Sequence, residues 1–118
     1  MNAPKIQPGQ SGFSLLYITC ADKTVAADLA RLAISEKVAA CANIISGMTA
    51  IYPWKGKIEE SEEVVLLLKT QKALVQKLIA FIEQHHPYNV PAILEVLLGH
   101  VSAPYGAWLL QETQQQPS

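Results

Sequence analysis

Residues 62–70, EEVVLLLKT, decide the architecture. In extended backbone successive side chains point to opposite faces, so Val64, Leu66 and Leu68 share one side of a strand, and Val65 and Leu67 the other. Both sides are apolar, the pattern of a strand covered on two faces and not of one half open to water. The same doubling recurs in FSLLYITC, Phe13–Cys20, where Phe13, Leu15 and Tyr17 oppose Leu16 and Ile18. Upstream of the opening stretch, residues 40–54 read as another strand, bent at Gly47. Lys55-Gly56-Lys57 then reverses the chain, giving a long hairpin with Trp54 at its tip.

Helical spacing fills the intervals. Ala21-Asp22 offers an N-cap, and Val25, Leu29, Leu32 and Ala33 follow at i, i+4, i+7 and i+8, with Asp28, Arg31 and Glu36 turned to water. Residues 72–84 repeat the pattern with Leu74, Val75, Leu78, Ile79 and Ile82, and His86-Pro87 stops it because a residue before proline avoids the α region. A fourth strand spans residues 92–98. The last helix covers 102–113, with Ser102 as cap and Pro104 in its first turn. The order βαβ, βαβ, α predicts an α+β, ferredoxin-like sandwich: a four-stranded antiparallel sheet, both main helices on one face, and a C-terminal helix. One short helix cannot cover the other face, so an obligate homo-oligomer is expected, with sheets of different subunits burying one another.

Composition agrees. The chain has 118 residues, 9 basic and 10 acidic, a net charge of −1 and 50% apolar residues. That suffices for one packed domain without disulfides, and residues 13–113 are read as that domain. Residues 1–12 read as a disordered leader without a signal-peptide core, and 114–118 as a tail. Charged residues make up only 16%, against about 25% in an ordinary domain, which again argues for apolar surface facing another chain. There is no basic excess for nucleic acid and no apolar run long enough for a membrane span. Two cysteines, Cys20 and Cys41, match no zinc spacing, and the chain is assigned to the reducing cytoplasm.

The densest chemistry lies in His85-His86-Pro87-Tyr88 together with Cys20. Imidazole and thiolate are the donors that soft and borderline metals prefer. Cys20 ends a strand just before a helix N-terminus, where the dipole favours thiolate; its other reading is a small buried hydrophobe. Neighbouring residues in extended backbone diverge, so only one of His85 and His86 easily joins a given site. Cys41 is read as core. Glu59, Glu60, Glu62 and Glu63 split across the two faces of a strand and read as a solvated hairpin. Lys69 closes an apolar run and needs a partner, either a carboxylate (Glu63 or Glu95) or a small anion. Trp54, Tyr88 and Trp108 stand near element ends and, with Lys69, form a candidate ligand pocket. No nucleophile elbow, HExxH, Walker loop or dinucleotide fingerprint is present, and no enzyme is expected. The opening stretch lacks the stacking aromatics of an RNA-recognition module, and the loop after the first strand lacks the arginine of an acylphosphatase.

Taken in order, residues 26–41 (AADLARLAISEKVAAC), Asn43-Ile44, Tyr52-x-Trp54-x-Gly56-Lys57-Ile58, Glu63-Val64, Lys69-Thr70, His85-His86-Pro87-Tyr88, Val90-Pro91, Tyr105 and Trp108 resemble the CutA divalent-cation-tolerance family. The resemblance implies a tight homotrimer whose hairpin reaches around a neighbour, similar in architecture to the PII signalling proteins. It implies a role in tolerance of divalent cations, copper above all, with Cys20, His85 and His86 as ligands. Where the family often has a further glutamate this sequence has Ala92, and Glu95 would point to the opposite face. The expected function is a cytoplasmic trimer binding copper or a similar ion in metal homeostasis. The alternative is a PII-like sensor or scaffold holding a small anion, or an unidentified partner protein, at clefts between subunits.

Overall fold

The computed structural model describes residues 12–115; most of the expected leader and the end of the expected tail lie outside them. Strand β1 is Phe13–Cys20, helix α1 Lys23–Ser35, β2 Cys41–Trp54 and β3 Lys57–Gln71. A single 3-10 turn, Lys72–Leu74, leads into α2, Val75–His85, followed by β4, Ile93–Leu97, and α3, Ala103–Glu112. The sheet order is β2-β3-β1-β4 and every pairing is antiparallel. This is the expected βαββαβ layout with a C-terminal helix.

Local chemistry explains the boundaries. Asp22 caps α1, its Oδ1 accepting the Val25 N–H at 2.9 Å. The helix closes with Lys37 in the left-handed region, φ 60°, while the Val38 N–H reaches back to the Ala33 carbonyl at 3.1 Å. Ser102 precedes α3, but its side chain makes no capping bond. In the long hairpin Trp54 pairs with Lys57, and both turn residues, Lys55 and Gly56, have positive φ (52° and 78°), as a right-twisting two-residue turn requires. The expected bend at Gly47 is a bulge. Ile45 pairs with Val65 and Met48 with Glu63, so Ser46 and Gly47 together oppose Val64.

The core lies on one face. Leu16, Ile18 and Cys20 of β1 and Val64, Leu66 and Leu68 of β3 meet Ala26, Leu29, Ala30 and Ala33 of α1 and Val75, Leu78 and Ile82 of α2. The apolar stripe expected on α1 is therefore displaced. Leu32 is 44% exposed, because alanines let the helix lie close to the sheet and push the larger side chain to its shoulder. On the opposite face α3 covers only one end. A Cβ on Gly106 would stand 3.1 Å from the Phe13 ring, so glycine is what allows this close approach. Gln71 Nε2 ties β3 to Thr113 Oγ1 at 3.0 Å. Leu94 and Val96 of β4 remain exposed on that face, as the two-sided strands lead one to expect.

Candidate metal-binding pair and the acidic groove

Cys20 is the last residue of β1 on the covered face and is fully buried. His86 caps α2 in extended backbone, φ −73° and ψ 136°, and its buried ring reaches the same point. Cys20 Sγ and His86 Nε2 are 4.0 Å apart, across 66 residues of sequence. The imidazole tautomer follows from its partners. Nδ1 accepts the Tyr88 backbone N–H at 3.1 Å and so carries the lone pair; Nε2 carries the proton and donates it to the Thr19 carbonyl at 2.9 Å. His85 turns the other way: it is exposed, its Nδ1 donates to the Phe81 carbonyl at 2.8 Å, and its ring lies 4.4 Å from that of Phe81. Of the three expected ligands the structure brings two together and leaves the third outside.

The electrostatics of Cys20 run against the expected thiolate. Burial, then the charges of Asp22 and Glu63, push its pKa up from 9.0 to about 11. The capping carboxylate of Asp22 occupies the helix terminus, so the dipole that would favour thiolate faces a negative charge close by. Among the described residues no three His, Cys, Asp or Glu side chains converge. Glu95 cannot join, since it faces the helix side near the start of β1. There it accepts from Ser14 Oγ at 2.7 Å and Lys72 Nζ at 3.1 Å, and these bonds, Ser14's first, hold its pKa below the usual carboxylate value against partial burial.

On the open side of the sheet, beside this pair, runs a groove of about 1300 Å³ between the distal hairpin and the segment after His86. Tyr17, Tyr52, Trp54 and Tyr88 line it together with Glu59, Glu62 and Glu63. The register divides the hairpin glutamates by face, with Tyr52 opposite Glu59 and Met48 opposite Glu63 on one side, and Ile51 opposite Glu60 and Thr49 opposite Glu62 on the other. Among the described residues no lysine or arginine lies within ion-pair distance of any of the four. Burial and the Glu63 charge raise the Tyr88 phenol above its usual pKa, so it stays neutral.

The four expected pocket residues separate. Trp54 and Tyr88 belong to the groove, whereas Lys69 and Trp108 lie with α3. Lys69 finds neither Glu63 nor Glu95: its Nζ donates to Tyr105 Oη at 3.2 Å and sits 5.3 Å from that ring, on which Trp108 stacks at 5.7 Å. Alternation excludes Glu95, which faces α1 and α2 while Lys69 faces α3, and distance excludes Glu63, which shares the Lys69 face but stands six positions away along β3, about 20 Å. Cys41, expected in the core, is half-buried and pairs across the ladder with Lys69. Tyr52 and Glu63 were not singled out as groove residues, yet counting back from the two-residue turn through the bulge places both on one face.

Residues 14–112 match the family model described as CutA1 divalent ion tolerance protein. Protein CutA of Mus musculus is 40% identical over 101 residues, covering 86% of this chain and 57% of that protein. Divalent-cation tolerance protein CutA of Escherichia coli is 41% identical over 95 residues, covering 80% and 85%. The chain thus spans little more than half the length of the mouse relative. Among solved structures, CutA from Xylella fastidiosa superposes with a TM-score of 0.85 at 32% identity, covering 88% of this chain and 100% of that one. CutA1 from Oryza sativa gives 0.85 at 30% identity, with 92% and 99% covered.

Proposed function

The chain belongs to the CutA1 divalent ion tolerance protein family, and from that premise we propose that it serves divalent-cation tolerance in the cytoplasm as a homotrimer binding copper or a similar soft ion. The observation that carries the reading is the approach of Cys20 Sγ to His86 Nε2 at 4.0 Å. A thiol and an imidazole are the donor set such an ion prefers, and when bound it would take the sulfur as thiolate. Binding through Nε2 would displace the thiol proton and move the imidazole proton from Nε2 to Nδ1, giving up both the bond to the Thr19 carbonyl and the one accepted from the Tyr88 N–H, and affinity should rise with pH up to about 11, where the thiol ionises on its own. Two donors leave room for a third from elsewhere. The exposed apolar side chains of β4 and the distal hairpin support the trimer, since a lone chain would leave them in water. An anion-binding sensor is the weaker reading, because no lysine, arginine or histidine lines the groove and Lys69 is already engaged by Tyr105.

The test is a Cu(I) titration of the reduced protein against a competing chelator, with Cys20→Ser and His85→Ala alongside. The expected result is stoichiometric binding, weakened at least tenfold, or about 1.4 kcal/mol, by Cys20→Ser and left unchanged by His85→Ala. Equal affinity of wild type and Cys20→Ser would remove the thiolate from the reading. Light scattering at micromolar concentration checks the assembly, a mass of one 12.9 kDa chain counting against the trimer.

A further inference from the structure

The Cys20–His86 pair is sealed, with the sulfur fully buried and the imidazole only 7% exposed. An ion reaches such a pair only when something beside it moves. Residues 87–91, in the connection from α2 to β4, are the neighbouring segment with the fewest ties. Pro87 and Pro91 stand at its ends, and neither has an N–H to donate. Among the described residues one hydrogen bond holds the segment, from the Tyr88 N–H to His86 Nδ1 at 3.1 Å. The Tyr88 ring lies 4.8 Å from the imidazole, and Val90 on the same segment is 90% exposed.

That single bond ends on the imidazole that would ligate. A neutral imidazole has one lone pair in its ring plane and one N–H. Here Nδ1 gives the lone pair to Tyr88, while Nε2 gives the proton to the Thr19 carbonyl at 2.9 Å. Ligation needs the lone pair. If Nδ1 ligates, the Tyr88 N–H is displaced from it directly. If Nε2 ligates, on the side where Cys20 Sγ stands at 4.0 Å, the ring proton moves to Nδ1, and two N–H groups would then face each other across 3.1 Å. Either way the Tyr88 amide loses its acceptor. The bond to Thr19 does not respond so uniformly, because it is lost in the second case only.

We propose that residues 87–91 form a switch set by the state of His86: held against the imidazole in the empty protein, and released when His86 ligates an ion. The inference rests on the metal reading of the Cys20–His86 pair and adds what occupancy does to the rest of the chain. A pair with almost no exposure of its own then reports its state through a segment at the surface. The coupling is reciprocal, so a segment already released favours ligation by His86.

The test is NMR of the full chain, reduced, without and with an equivalent of Cu(I), which is diamagnetic. Chelator competition on the same sample reports whether the ion is bound, and Cys20→Ser whether it is bound at the pair. In the metal-free protein the ring nitrogen shifts of His86 should show Nδ1 unprotonated and Nε2 protonated. On loading, the Tyr88 amide should exchange at least tenfold faster, while the paired amides of β1 keep their rates. His86→Phe fills a similar space without an acceptor and should release the Tyr88 amide with no metal present. Copper held through Cys20 with the Tyr88 exchange rate unchanged would overturn the switch and leave the metal reading standing. A metal-free ring protonated at Nδ1 would overturn it as well, and so would a folded His86→Phe protein whose Tyr88 amide stays protected. Copper that does not bind at all would remove the metal reading and the switch together. The exchange comparison uses the unmodified chain, so a His86→Phe protein that failed to fold would still leave a deciding result.

Discussion

The ladder between β2 and β3 has two halves held by different forces. From Cys41 to Ile45 it belongs to the body of the molecule, where Leu66 and Leu68 are sealed under α1 and α2. From Met48 to Trp54, paired with Lys57 to Glu63, it is an arm whose large apolar residues Ile51, Trp54 and Ile58 stand exposed. The body draws its stability from burial. The arm has backbone pairing and cross-strand contacts such as Thr49 Oγ1 to Glu62 at 3.0 Å, and a two-stranded ribbon with only these is marginal in water. Apolar residues kept on an arm that they do not stabilise point to contacts outside the chain.

The sharpest way to break this contrast is a matched pair of truncations followed by denaturant unfolding. Leu66→Ala, at a fully buried position, should cost about 3–4 kcal/mol. Ile58→Ala, at a position 79% exposed, should stay within about 0.5 kcal/mol in the monomeric state. A comparable loss for Ile58→Ala would mean that the arm is buried in an assembly. Next in size is the alkaline behaviour of the body. The Cys20 thiol stays protonated in the folded state to about pH 11, whereas the unfolded chain ionises near 9.0. Between those values the folded state holds the extra proton, so stability is intact below pH 9 and falls as pH rises, by on the order of 2–3 kcal/mol. Cys20→Ala should flatten that part of the stability profile.

Smaller effects separate the arm tip from the body's own ends. Gly56→Ala forces a Cβ at φ 78° and should cost about 1–2 kcal/mol. Hydrogen exchange should show that loss as faster opening of arm amides only, with body amides unchanged. Lys37→Gly should act in the opposite direction, relieving a left-handed lysine at the end of α1 and raising the midpoint of unfolding by up to about 1 kcal/mol in stability.

What the amino-acid sequence disclosed follows the same division. Alternation in β1 and β3 exposed both faces of the sheet, and the Gly47 bulge and Lys55-Gly56 turn could be read locally because positive φ leaves a chemical signature. The buried stripe of α1 was harder. Ala26 and Ala30 carry little hydrophobic signal, and only the sheet's proximity makes small residues the ones that fit. Cys20 and the histidine pair were visible as donors, and divergence of neighbours already limited the site to one histidine. Choosing His86 needed the end of α2 to be fixed to the residue, since His85 still belongs to the helix and follows its outer face. The partner of Lys69 is hidden for a related reason: it depends on which face α3 covers, a long-range fact that residues 62–70 do not contain.

The bulge at Ser46 and Gly47 sets a phase. Because side chains alternate with a period of two, the extra residue there decides which row of β2 in the arm shares a face with Glu59 and Glu63. Deleting one residue at this point would leave Ile45 opposite Val65 and Met48 opposite Glu63, so body and arm would both keep their pairs; keeping every residue without the bulge would instead put Thr49 and Ile51 where Ala50 and Tyr52 stand now. By absorbing one residue, the bulge keeps Ala50 and Tyr52 on the surface that the arm offers to whatever meets it.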